Sequence, residues 1–204
     1  MLNITNECNM ALMARYPDKH FDLAIVDPPY GIGIEKQSKF GNKKDNKIWD
    51  SAIPTKEYFN ELFRISKNQI IWGGNYFIEY LKNTRCFLIW NKENGSNDMA
   101  DAEIAWTSFN TSVRMYSGHI FKGIGNINYN SIHPTQKPVT LYKWLLDKYA
   151  KQGDKILDTN LGSGSIAIAC HDYGFDLTAC ELDKEYYDKA IERISNHQKQ
   201  IKLF

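Results

Sequence analysis

The stretch Lys155-Ile-Leu-Asp158-Thr-Asn-Leu-Gly-Ser-Gly-Ser165 decides the fold. Its first four residues make a short apolar strand, and its glycines stand where the chain turns into a helix of small residues, Ile166 to Tyr173. Gly162 and Gly164 remove side chains where the backbone must bend and a ligand must approach. After Gly174 a second strand, Asp176-Leu-Thr-Ala-Cys180, ends in Glu181. Strand, glycine turn, helix and strand form one parallel crossover unit. An acid at the tip of the second strand, roughly 20 residues past the glycine loop, is placed to accept from a ribose diol. The loop lacks the third glycine of a dinucleotide site and the Gly-Lys-Ser/Thr of a phosphate loop. Without a pyrophosphate grip, the ligand reads as a nucleoside without phosphates. S-adenosylmethionine fits that description. The last helix, from Asp183 to about His197, opens on an aspartate cap.

Outward from this unit, the run Asp22-Leu-Ala-Ile-Val-Asp-Pro-Pro-Tyr30 is an apolar strand stopped by two prolines. Neither proline has an N–H and each fixes its φ, so the ladder ends and the next residues are held stiff. They sit at the carboxyl edge of the strand, where open α/β sheets bind ligands. Asp27, Pro28, Pro29 and Tyr30 therefore present one acid, free carbonyls and one ring as a rigid cluster. Such a cluster suits a planar ring with an exocyclic amine. Tyr30 offers a stacking face, while Asp27 and the Pro28 carbonyl accept from the amine. Alone, the tetrapeptide reads as readily as a rigid turn; a proline-rich docking peptide fits poorly, because such ligands sit in exposed polar tracts. The strand running into it favours a site.

The remaining chain alternates strand and helix patterns. Strands are expected near residues 2–5, 69–74, 86–90 and 103–109, and helices over 9–16, 54–66, 75–81 and from Pro138 to about Ala150. This predicts an α/β protein with a doubly wound, mostly parallel sheet in one domain, residues 1–204. Two irregular segments, about 31–51 and 110–132, stand out as insertions. Residues 35–47 carry Lys36, Lys39, Lys43, Lys44 and Lys47 against Glu35 and Asp45, a local charge of +3. A solvated surface loop is the plain reading. Its place directly after the proline corner makes phosphate contact an equal one, with Arg114 and Lys122 of the second segment as further candidates.

At 204 residues and 43% hydrophobic content the chain supports one well-filled core. A net charge of +1 gives no global pull on nucleic acid, so contact must come from local patches. Cys8, Cys86, Cys170 and Cys180 form no C-x-x-C pair and read as thiols of a reducing compartment. There is no apolar run of membrane-spanning length and no signal-peptide pattern, which points to a soluble cytoplasmic protein without a membrane partner. His119, His133 and His171 lack ligand spacing, so no metal site is expected.

With these residues in view, the chain resembles the DNA amino-methyltransferases that modify adenine N6 or cytosine N4. Their permuted order, catalytic motif before cofactor motif, covers nearly the whole chain. Asp27-Pro-Pro-Tyr30 is similar to the catalytic motif, His133-Pro-Thr-Gln-Lys-Pro138 to the motif preceding a helix, and Asp158 to Ser165 to the cofactor loop. Glu181 resembles the ribose-binding acid, and Glu7-Cys8 an Asp-Cys pair whose acid approaches the cofactor adenine. Thr159 and Asn160 depart from the Pro-Phe of the family loop, which would remove an aromatic wall.

The resemblance implies a Rossmann-like fold with a seven-stranded sheet, S-adenosylmethionine as methyl donor, and DNA as partner. The implied cofactor contacts are Glu7, Asp27, His133, Thr135, Lys137, Asp158, Asn160, Gly162, Ser163, Gly164 and Glu181. It implies methylation of a flipped adenine at N6, in the setting of restriction–modification. Cytosine N4 is the nearest alternative, although relatives acting there tend to carry Ser-Pro-Pro-Tyr. A catalytically silent DNA-binding subunit and a nucleotide-dependent oxidoreductase are the readings from other classes. With little length left for a recognition domain, either sequence choice is short or loose, or a second copy of the chain helps, as a homodimer.

Overall fold

The computed structural model describes residues 1–33, 50–94, 100–118, 132–133 and 135–200. The elements run β1 (Leu2–Asn6), α1 (Asn9–Ala14), β2 (Phe21–Val26), α2 (Lys56–Ile65), β3 (Ser66–Trp72), β4 (Phe87–Asn91), β5 (Ala102–Thr107) and β6 (Arg114–Ser117). They continue with α3 (Val139–Tyr149), β7 (Lys155–Asp158), α4 (Ser165–Tyr173), β8 (Asp176–Glu181) and α5 (Lys184–Lys199). The expected helix over 75–81 is instead two tight 3-10 turns, Gly74–Tyr76 and Ile78–Tyr80.

One sheet carries all eight strands in the order β1-β8-β7-β2-β3-β5-β4-β6. β5 runs antiparallel to β3 and β4, and the other pairs are parallel. The doubly wound α/β reading holds, but the expected seven strands become eight. The added strand is β6, inside a segment read as irregular. Arg114-Met-Tyr-Ser117 is short and mostly exposed, so it has no apolar alternation to announce it. It forms by pairing with β4, Leu88 facing Arg114 through Asn91 facing Ser117.

Strand residues alternate between two cores. Leu23 and Ile25 of β2 pack with α3, α4 and Ile194 of α5 on one face. Ala24 and Val26 pack with Leu12 and Met13 of α1 and with Tyr58, Phe59, Leu62 and Ile65 of α2 on the other. The α2 positions recur at helical spacing, which is why that helix lies flat on the sheet. Asp183 caps α5 as read, its carboxylate accepting from the N–H groups of Glu185 and Tyr186 at 2.9 and 3.0 Å.

β2 and β7 lie side by side and parallel, and the order in which strands are added to the sheet reverses between them. From β2 the sheet builds outward through β3, and from β7 it builds the other way through β8. A crevice opens above such a switch point at the carboxyl ends of the strands. Asp27 follows β2 and Asp158 ends β7, so the two motifs meet there.

Candidate active site

Asp27 stands at the centre of a buried charge cluster. Its Oδ1 accepts from the Tyr30 hydroxyl at 2.6 Å and its Oδ2 from the Lys137 ammonium at 2.5 Å. Lys137 Nζ also lies 2.9 Å from Glu103 Oε2, and Lys92 Nζ lies 2.8 Å from Glu103 Oε1. The Lys137 side chain is 1% exposed and its ammonium sits 5.3 Å over the Trp72 ring. A buried cation survives only when paired and hydrogen-bonded. Burial alone would lower the Lys137 pKa, but the Asp27 and Glu103 charges outweigh it and raise it. Burial would likewise raise Glu103, yet Lys137 and Lys92 hold it down at about 2. For Asp27, burial pushes the carboxyl above its usual range, with Glu103 adding to the rise and Lys137 and Tyr30 opposing it.

Tyr30 is held from three sides. Its N–H and that of Gly31 donate to Asp50 Oδ1 at 2.7 and 2.9 Å, and Asp50 is buried. Its ring stacks on Tyr76, centroids 4.9 Å apart and 15° from parallel. Gly73, at φ +71°, passes so near the ring that any Cβ would strike it. The sequence offered Tyr30 as a stacking face. One face of its ring is covered by Tyr76, which is itself 42% exposed, so the two rings form a stack with Tyr76 outermost.

A cleft of about 270 Å³ opens beside this cluster. Glu7, Cys8, Pro29, Tyr58, Asn160 and Glu181 are among its lining residues. Its volume sits near the lower end of the roughly 300–1,000 Å³ typical of small-molecule sites. Glu181 accepts from Gly162 N–H at 2.8 Å and Asp183 N–H at 3.0 Å. Burial raises its pKa while these backbone bonds oppose the rise. Each carboxylate oxygen has a second lone pair, so a diol can still donate to Glu181. Glu7 is gripped by Arg15 at 2.5 and 2.7 Å and by the Thr5 hydroxyl, and Arg15 followed by Thr5 holds it at about 2. The acceptor set suits a nucleoside: an acid for the diol, a second acid for a base edge, and aromatic and proline faces between.

Tyr58 was not legible as a site residue. It rises from α2 into the cleft wall, its hydroxyl 2.6 Å from Thr159 Oγ1 and 3.4 Å from Asn160 Oδ1. Thr159 in turn donates to Asn160 at 2.8 Å. Where the family loop would carry Pro-Phe, α2 thus brings an aromatic ring, Tyr58, against Thr159 and Asn160 in the cleft wall. Its helical spacing marked Tyr58 only as core.

The other expected residues divide. His133 packs on Tyr186, ring centroids 4.5 Å apart, and its Nδ1 accepts from Thr135 N–H at 3.3 Å. Its ring carbons lie 3.8 Å from where a Gly162 Cβ would stand, so His133 and Thr135 buttress the glycine loop. Asp158 is buried beneath the loop, accepts from Asn160 N–H at 3.0 Å, and is pushed up to about 8 by burial. Ser163 is buried with its hydroxyl 3.2 Å from Ser165 Oγ. A Gly164 Cβ would stand 3.0 Å from Ile194, so that glycine, at φ +76°, also admits α5. Lys137 and Asp27, both expected at the cofactor, sit together in the charge cluster, and neither is among the residues that line the cleft. Arg114 lies on edge strand β6, which β3, β5 and β4 separate from β2. Lys36, Lys39, Lys43, Lys44, Lys47 and Lys122 lie outside the described residues.

Glu103, Lys92, Asp50 and Tyr76 were missed altogether. Glu103 reaches this edge because β5 runs antiparallel, bringing its amino end to the carboxyl ends of its neighbours. Among the described residues no group of His, Cys, Asp and Glu could hold a metal ion. Nor is any described helix long and apolar enough to cross a membrane.

A profile of the DNA methylase family matches residues 90–192, just over half of the chain. The chain belongs to the DNA methylase family. The type II methyltransferase M.HpaI of Haemophilus parainfluenzae is 23% identical over 93% of this chain and 73% of its own length. Among solved structures, the M1.HpyAVI–SAM complex superposes with a TM-score of 0.62 at 20% identity, covering 95% of this chain and 99% of the other. The cytosine-N4-specific PvuII DNA methyltransferase superposes with a TM-score of 0.65 at 11% identity, covering 96% and 90%. A methylase named for cytosine N4 thus has this same fold.

Proposed function

We propose that this methylase transfers a methyl group from S-adenosylmethionine to adenine N6 of DNA, at Asp27-Pro28-Pro29-Tyr30. One observation carries the reading. Pro29 lines the nucleoside cleft while Asp27 and Tyr30 of the same rigid tetrapeptide face the charge cluster. Donor and acceptor sites thus share one short, stiff wall.

Glu181 holds the ribose diol, Glu7 approaches the adenine edge, and Tyr58 supplies the aromatic wall. Asp158, its carboxyl pushed up to about 8 by burial, lies below as a further acceptor. The cofactor supplies an electrophilic methyl group. Asp27 and the Pro28 carbonyl accept the two hydrogens of the base amine, which favours a pyramidal nitrogen with its lone pair free. The oxygens of Asp27 already accept from Tyr30 and Lys137, and each keeps a lone pair for a further donor. Positive charge growing on nitrogen is stabilised by the carboxylate, catalysis by placed charge. Proximity of the two bound partners supplies much of the rest. The amine is out of reach inside a duplex, so the base is flipped onto the Tyr30–Tyr76 stack.

DNA contact falls to the lysine-rich segment 35–47 and to the segment around Arg114 and Lys122. Cytosine N4 is the second reading, because the same acceptors serve any ring amine. Asp27, in place of a serine, favours adenine. The test is Asp27→Ala. Expected are lost methyl transfer to DNA and retained S-adenosylmethionine binding; substantial residual transfer would overturn the mechanism.

A further inference from the structure

The Asp27 cluster holds a lysine that the methyl-transfer scheme does not require. The three ammonium hydrogens of Lys137 face three acceptors: Asp27 Oδ2 at 2.5 Å, Glu103 Oε2 at 2.9 Å and Tyr30 Oη at 3.4 Å. Such a tripod fixes the plane of the Asp27 carboxylate. It also creates a conflict. A cation held against Asp27 opposes the charge that the carboxylate is there to stabilise, since an amine gaining positive charge would feel both groups. Glu103 resolves the conflict by drawing on Lys137 from its other side. Lys92, 2.8 Å away, satisfies the outer oxygen of Glu103.

Resting on the methyl-transfer reading, we propose that Lys137 and Glu103 are a matched pair of positioning residues. Lys137 orients the Asp27 carboxylate, and Glu103 cancels the field of Lys137 at the reacting amine. Neither touches the base. The groups facing Asp27 are Tyr30 beyond β2, Lys137 before α3, Glu103 of β5 with Lys92 behind it, Asp158 of β7, Tyr58 of α2 and Tyr142 of α3. Among the described residues only Lys137 and Glu103 carry opposite charges within bonding distance of one another and of the Asp27–Tyr30 unit, so their removal acts with opposite sign.

The test is the pH profile of kcat for wild type, Lys137→Met, Glu103→Gln and the double variant. Loss of Lys137 leaves two carboxylates side by side, and the acid limb rises by about 1–3 pH units. Loss of Glu103 removes a like charge and lowers the acid limb. It also leaves Lys137 unopposed, so plateau kcat falls about tenfold with S-adenosylmethionine affinity unchanged. The double variant has its acid limb between those of the singles. Limbs that stay together while plateau rates fall would mark the pair as structural filling and overturn the proposal. If Lys137→Met does not fold, the downward shift in Glu103→Gln decides alone.

Carboxyl carbon NMR of Asp27, titrated without substrate, supplies a readout independent of turnover. The expected order of midpoints is Glu103→Gln, wild type, Lys137→Met. Coincident midpoints overturn the proposal whether or not the enzyme is active. The expected order in a protein that transfers no methyl would leave the electrostatic pair standing and refute the methyl-transfer reading instead.

Discussion

Gly73→Ala tests how the stacking platform is built. Gly73 has φ +71°, and an added Cβ would lie 2.6 Å from Tyr30 Cδ1, 2.8 Å from Cζ and closer still to Cε1. The left-handed backbone alone costs an L-residue about 1–2 kcal/mol. The ring has no free direction in which to retreat. Its hydroxyl is bonded to Asp27, its backbone N–H to Asp50, and its face to Tyr76. Moving it breaks the bond to the Asp27 carboxylate, a charged hydrogen bond worth about 1.5–3 kcal/mol. The two losses share one relaxation, so a combined cost of roughly 3 kcal/mol is reasonable. For a chain of this size that lowers Tm by about 6–12 °C. Gly153→Ala is the control. Gly153 has φ +92° with no atom within 4 Å of an added Cβ, so it suffers backbone strain without a collision. Thermal melts and steady-state kinetics of both variants separate the terms. Gly73→Ala should lose more stability and raise KM for DNA, with S-adenosylmethionine affinity unchanged. Equal melts and equal KM in the two variants would refute the reasoning.

Further outcomes follow from the same geometry. Tyr30→Ala should weaken capture of the flipped base by about 1–3 kcal/mol, read as DNA affinity at fixed cofactor. Tyr58→Phe keeps the ring but removes the hydroxyl bonded to Thr159, costing about 1 kcal/mol. S-adenosylmethionine affinity should fall several-fold by calorimetry, and an unchanged value would remove Tyr58 from the cleft wall. Asp158 has its folded pKa raised from 3.8 to about 8, so it takes up a proton on folding and destabilises progressively as pH climbs across that window. Asp158→Asn should therefore gain stability relative to wild type between pH 5 and pH 9 in urea melts; a constant difference would contradict the buried neutral acid. DNA affinity should drop steeply with salt, and flat binding would exclude the lysine-rich segments.

The parts of the site that follow directly from strand ends were legible in the sequence. Prolines that stop β2 and glycines that open α4 announce themselves chemically, and Glu181 is found by counting from them. Residues brought in by tertiary pairing were not. Glu103 depends on the direction of β5, which alternation along a strand does not encode. Lys137 lies in a recognisable motif, but its partner is chosen by how the segment before α3 folds over β2. Tyr58 looked like any other apolar position of α2, since only its hydroxyl distinguishes wall from core. β6 escaped because four largely exposed residues carry no pattern of their own and gain order only by pairing with β4.

The most direct measurement is transfer of labelled methyl from S-adenosylmethionine to unmethylated genomic DNA, followed by nucleoside analysis. The account predicts N6-methyladenine, lost in Asp27→Ala. Methyl on cytosine N4 would keep the site chemistry and overturn the choice of base. No transfer by a folded protein that binds S-adenosylmethionine would contradict the central claim.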